Sequence, residues 1–87
     1  MAAARRSERV TYDIVDGRAI LVDIRGTELL TLNPVGTIVW EALDGQRDVG
    51  ELVEHLVERL DQVEPVQARV DVASFLAELR KLGLATE

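Results

Sequence analysis

Residues 49–60, "VGELVEHLVERL", place Val49, Leu52, Val53, Leu56, Val57 and Leu60 at the i, i+3, i+4, i+7 spacing of a single helical face without a miss. A helix of this kind is not stable alone in water, so the rest of the chain has to supply a surface that covers its apolar stripe. With 87 residues in all, there is material for one small domain, which buries a little over ~60% of the surface its unfolded chain exposes. A deep catalytic cleft would remove core that such a domain can hardly spare. Hydrophobic residues make up 47% of the chain, yet Phe, Trp and Tyr occur once each, so the covering layer must be built from Leu, Val, Ile and Ala. Asp48 is placed to cap the helix and Glu51, three residues on, to complete a capping box.

Upstream, the pattern changes period. "VTYDIV", "RAILVDI" and "TELLTL" are separated by Asp16-Gly17, which suits a two-residue hairpin turn, and Arg25-Gly26, which suits a slightly longer one. These predict a three-stranded antiparallel meander, with Val10, Tyr12 and Ile14 on one face of its first strand and Ile20, Val22 and Ile24 on one face of its second. The third strand runs straight into a helix: Asn33 is a good N-cap, Pro34 fits the first helical position, and Gly45 is expected at the helix C-terminus. Val35, Ile38, Val39, Ala42 and Leu43 form the apolar stripe of that helix. Trp40 projects away from its centre and is expected to cover the edge of the sheet.

The last helix is predicted from about Glu64-Pro65 to Leu82, ended by Gly83. Its wheel has three sectors: a core face of Ala68, Val72, Phe75, Leu76, Leu79 and Leu82, a water face of Gln67, Asp71, Ser74, Glu78 and Lys81, and a stripe of Val66, Arg69, Val70, Ala73, Ala77, Arg80 and Leu84. The small residues of this stripe allow either a ligand or another element of the same domain to approach the helix closely. Residues 1–9 are expected to be a disordered tail, and 10–87 one domain, α+β in class.

Chemistry is hard to find. The single histidine, His55, lies one turn from Glu51 and Glu58, but one imidazole with exposed carboxylates is a weak metal site, and a solvated helix face explains it better. Ser7 and Ser74 have no base beside them. There is no cysteine and no glycine-rich phosphate cradle, so no catalytic residue, metal or cofactor is expected. The net charge of −6, with eleven acids against five bases from Asn33 onward, disfavours nucleic acid as a partner. No apolar run is long enough to span a membrane, "MAAARRSER" has no signal-peptide core, and a cytoplasmic location is expected.

The segment "DGRAILVDIRGTELLTLNPVGTIVWEALDGQRDVGELVEHL", followed by "DVASFLAELRKLGL", resembles the PqqD-like family, which is named for the pyrroloquinoline quinone biosynthesis protein D and includes recognition elements of pathways that modify ribosomally made peptides. The resemblance runs from about Val10 to Ala85. It implies a winged-helix-like fold, a three-stranded sheet followed by three helices. It further implies that the domain binds the leader segment of a precursor peptide as an added strand on the third strand, with leader side chains between that strand and the third helix, and delivers it to a modifying enzyme or leader peptidase.

Under that implication the peptide-binding residues are Thr27, Glu28, Leu29, Leu30, Thr31 and Leu32 on the strand. Val70, Ala73 and Ala77 become a groove floor, with Arg69, Arg80 and Lys81 available to leader carboxylates. Where many relatives carry an aromatic residue in the third strand, this chain has Leu29 or Leu30, which implies a pocket shaped for a different anchor. Two other readings stand beside this one: a winged-helix DNA-binding regulator, which requires a basic recognition helix, and a structural subunit that docks on a biosynthetic enzyme. An open edge strand is also compatible with either a monomer or a weak homodimer.

Overall fold

The structure, a computed structural model, describes residues 3–86. In chain order the elements are β1 (Arg5–Arg6), β2 (Val10–Val15), β3 (Arg18–Asp23), β4 (Glu28–Thr31), α1 (Pro34–Glu41), α2 (Val49–Arg59), α3 (Pro65–Lys81) and β5 (Ala85–Thr86). The predicted meander is present, an antiparallel sheet in the order β2-β3-β4, and the three helices follow it. The fold is therefore the expected α+β arrangement. To it is added a two-stranded ribbon, β1 paired antiparallel with β5, which joins the two ends of the chain.

The hairpin turns form for the expected reasons and one unexpected one. Asp16 and Gly17 both take positive φ, +52° and +76°, as a two-residue turn between twisted strands requires. The second turn is organised by Asp23, whose carboxylate accepts the backbone N–H of Arg25 and of Thr27, each at 2.9 Å. The inward face of the sheet carries Tyr12 opposite Leu21, and Leu21 opposite Leu30. Ala19 and Leu21 are fully buried, whereas Ile20 and Val22 lie on the other face, half-buried. Ile24 falls beyond the strand end and is 73% exposed.

The helix caps follow the sequence closely. Asn33 Oδ1 accepts Gly36 N–H at 2.7 Å, and the Asp48–Glu51 box is closed in both directions. Gly83, at φ +74°, stops α3: its N–H reaches Arg80 O, and Leu84 N–H reaches Leu79 O at 2.8 Å. The reversal at Gly83 turns Leu84 into the core, so Leu84 leaves the stripe to which a continuing helix would assign it. Leu82, expected in the core, is 52% exposed because it lies at the C-cap, past the last turn that packs inward. Val57 and Val35 are likewise at the exposed margins of their stripes.

Three further expectations change. Helix α1 stops at Glu41, well short of Gly45, whose N–H instead bonds Ala4 O at 3.1 Å. Two arginines take over the C-terminal carbonyls: Arg6 Nη1 donates to Trp40 O (2.9 Å) and Glu41 O (2.8 Å), and Arg47 Nη1 to Ala42 O (3.2 Å). Guanidinium charge at a helix C-terminus also complements the helix dipole. Trp40 is not a partial cover for the sheet but one of the largest fully buried side chains, set edge-on against Tyr12 of the edge strand β2, with ring centroids 5.8 Å apart. Finally, residues 4–6 are no disordered tail, since Ala4 is buried and Arg5 and Arg6 form β1. Met1 and Ala2 lie outside the described residues.

Thr37 explains how α1 is fixed to the sheet. Its hydroxyl accepts Ala19 N–H at 2.8 Å and donates to Asn33 O at 2.9 Å, so a buried polar side chain satisfies a strand amide that has no ladder partner. No helix among the described residues is long and apolar enough to cross a membrane.

Candidate functional site

Strand β4 is an edge of the sheet, paired on one side only. Backbone groups alternate in direction along a strand. Leu32 N–H points to Ala19 O of β3, at 2.8 Å, so the N–H and C=O of the preceding Thr31 point away from the sheet. The register of β4 slips by one residue: Leu21 faces Leu30 but Val22 faces Glu28, which leaves Leu29 as an extra residue on the edge. A bulge of this kind bends an edge and re-aims a side chain. Leu29 is 42% exposed, Glu28 and Thr31 are exposed, Leu30 is half-buried against the core, and Leu32 is buried. Of the six strand positions expected to meet a ligand, Leu32 thus contributes its side chain to the core, and Thr27 to Thr31 line the open edge.

Immediately after β4 lies a cavity of about 540 Å3, open to solvent on one side and bordered by the first turn of α1, the C-terminal half of α2 with the loop after it, and the N-terminal half of α3. Val35, Val39, Leu56, Leu60, Val63, Val72 and Phe75 give it apolar walls, and Asn33, Gln67 and Asp71 give polar ones. Gln67 Nε2 donates to Asp71 Oδ1 at 2.9 Å, fixing both side chains. Gly36 lets the walls come together. A Cβ there would stand 3.2 Å from the capping Asn33 Oδ1, tighter than ordinary contact, and 3.5 Å from the Phe75 ring.

The small-residue stripe of α3 is not part of this cavity. Each residue advances a helix by about 100°, so Ala73 and Ala77 lie roughly 160° round α3 from Phe75, and Val70 roughly 140°. They face solvent on the far side, Val70 being 57% exposed, as do Arg80 and Lys81. Arg69 instead reaches across to the start of α2, where its Nη1 lies 3.6 Å from the Cβ position of Gly50. The flank of α3 that does meet the cavity is Gln67, Asp71 and Phe75, and exposed Leu82 continues the Phe75 line two turns further on. The sequence signal for this flank was there to be seen in two features: the only phenylalanine, at the margin of the core face, and a glycine in the first turn of α1.

Two carboxylates line the cavity: Asp71, bonded to the Gln67 amide, and Glu64, which accepts the Val66 and Gln67 backbone N–H groups; no hydroxyl, thiol or imidazole joins them among the described lining residues. An open strand edge, a bulge beside it and a largely apolar cavity at its end are the geometry that addition of an extended chain requires.

The chain belongs to the PqqD family: the family model described as coenzyme PQQ synthesis protein D (PqqD) matches residues 18–85. No curated protein matches the sequence. Among solved structures, TbiB1 in complex with the TbiA(beta) leader peptide superimposes with a TM-score of 0.78, at 23% identity over 93% of each chain. Lasso peptide synthetase B1 complexed with the leader peptide gives 0.77, at 20% identity over 97% of this chain and 98% of that one. At these identities what is shared is the fold.

Proposed function

We propose that this protein captures the leader segment of a ribosomally made precursor peptide and delivers it to a modifying enzyme or leader peptidase, without itself doing chemistry. The observation that carries the reading is the open edge of β4 ending at an apolar cavity, in a domain of the PqqD family. The leader pairs with the outward backbone groups of the β4 edge, residues 27–31, which provides affinity with little demand on sequence. An apolar leader side chain enters the cavity beside Phe75 and Val72, and this provides selectivity. That TbiB1 and lasso peptide synthetase B1 are found with leader peptides supports the same use of the shared fold.

In this reading the helix half of the site differs from the one the resemblance implies. The stripe of Val70, Ala73 and Ala77, with Arg69, Arg80 and Lys81, does not line the cavity that follows β4, and in our reading the helix wall is Gln67, Asp71 and Phe75. A DNA-reading role is not favoured: α3 sets Asp71 and Glu78 among its bases and the chain carries −6 overall. Precursor peptides are made in the cytoplasm, and a chain without cysteine suits that compartment.

Fluorescence polarisation of a labelled synthetic leader, from the precursor gene nearest to this one, tests the reading. Saturable binding that disappears when a proline replaces a central leader residue is the expected result, because proline removes a ladder donor. Absence of binding at high micromolar protein, with or without the partner enzyme, would contradict it and leave a docking subunit.

A further inference from the structure

We propose that the crevice between α1 and α2 is a docking point for a glutamate side chain of the protein that receives the bound peptide. The crevice has a volume of about 320 Å3. Ile38 and Ala42 of α1 contribute its apolar part, Arg47, His55 and Arg59 its basic part, and Glu41 one carboxylate. It shares no residue with the cavity beside β4: Val35, Gly36 and Val39 face that cavity, whereas Ile38, Glu41 and Ala42 face the crevice. Peptide and partner can therefore be held at the same time.

The basic groups are already in position. Arg59 Nε donates to His55 Nε2 at 3.0 Å, which orders both side chains and requires the imidazole to be neutral at that nitrogen. Arg47 is fixed by Nη1, which bonds Ala42 O and the Asp44 carboxylate at 3.1 Å. Among the described residues no carboxylate forms an ion pair with Arg59, whose Nε is held by His55. Cations held in this way lose little freedom on binding an anion. The concentration is also out of keeping with the rest of the molecule: two of the five bases after Asn33, and the only histidine, line one small crevice of a chain with net charge −6.

The surroundings specify the anion. Ile38 and Ala42 accept a short methylene stem, and a planar guanidinium pairs best with a planar carboxylate. Glu41, which lines the crevice, and Glu58, whose charge is felt at His55, repel a doubly charged phosphate more strongly than a singly charged carboxylate. A protein is the appropriate source because, on the function proposed above, the domain passes its cargo to an enzyme; the inference rests on that reading, but not on where on the domain the leader is held.

The test uses the full chain, labelled for NMR, titrated at constant ionic strength with N-acetyl-Leu-Glu-Leu-amide, its Gln counterpart and inorganic phosphate. The Glu peptide should shift the Arg59 Nε–H and His55 ring signals saturably, with an apparent affinity about fivefold or more above that of the Gln peptide. The Thr31 amide should not move. The response should be lost in Arg59→Gln, an exposed change that leaves the circular dichroism spectrum unaltered. Equal responses to Glu and Gln, or a response that survives Arg59→Gln, would overturn the proposal. A preference for phosphate would overturn the assigned occupant. Failure of leader capture at β4 would leave these results untouched, so the two readings fail separately.

Discussion

The two edges of the same three-stranded sheet are treated in opposite ways. Beside β2, Tyr12 packs on fully buried Trp40, Arg6 lies 5.7 Å over the Tyr12 ring and takes two carbonyls at the end of α1, and the β1–β5 ribbon ties both chain termini to this side. Beside β4 there is a bulge, an exposed leucine and an apolar cavity. A domain this small has few interactions to distribute. Concentrating them at one edge allows the other to stay unpaired, which is a hazard in a sheet unless a partner is meant to occupy it.

If that contrast is right, changes at the β2 side should act on stability and changes at the β4 side on binding. The largest effect is expected for Trp40→Ala, which opens a cavity in the centre of the core and should cost about 3–5 kcal/mol, enough to unfold much of the population in mild denaturant. Arg6→Ala removes the cap from α1 and should cost about 1–2 kcal/mol by urea titration, with leader affinity of the folded fraction unchanged. A large loss of affinity with unchanged stability would break the comparison. Phe75→Ala should do the reverse, lowering leader affinity about tenfold or more for a stability loss of about 1 kcal/mol, since the ring is only half-buried. Ala77→Glu, on the far face of α3, should leave both quantities as they are, and impaired leader binding in that variant would restore the small-residue stripe as the groove.

The smallest effect concerns pH. Burial, then the Arg59 and Arg47 guanidinium groups, hold the His55 imidazole below its ordinary value of 6.5, against an opposite pull from Glu58. The folded state therefore binds a proton less readily than the unfolded one. The contribution is fully present above pH 6.5 and is lost as pH falls through the lower folded value. The thermal midpoint of the wild type should accordingly fall slightly more than that of His55→Gln between pH 7 and 5, and identical pH profiles would remove His55 from the account.

What could be foreseen from the chain follows the range of the interactions. The hairpin at Asp16-Gly17, the Asn33 and Asp48 caps and the Gly83 stop are set by neighbours within four residues, and each is formed as expected. The β1–β5 ribbon pairs Arg5 with Thr86, 81 positions apart, and two residues carry no periodicity to announce it. Trp40 belongs to a helix of only eight residues, too short for a wheel to separate core from margin once Arg6 and Tyr12 close over it. On α3 the wheel did reveal that the core face has two different flanks. Which of them lines the cavity after β4 depends on the direction in which α1 leaves the sheet, and no local pattern in α3 encodes that. The open edge itself was foreseen, because a meander of three strands has to end somewhere, whereas the bulge at Leu29 was not.

Amide hydrogen exchange of the full chain with and without a saturating leader peptide tests the central claim most directly. The account predicts that protection increases at Thr31 and at the neighbouring outward amides of β4, while Val10–Val15 of β2 exchange as before. Protection that appears along β2, or a bound leader that protects no amide of β4, would contradict it.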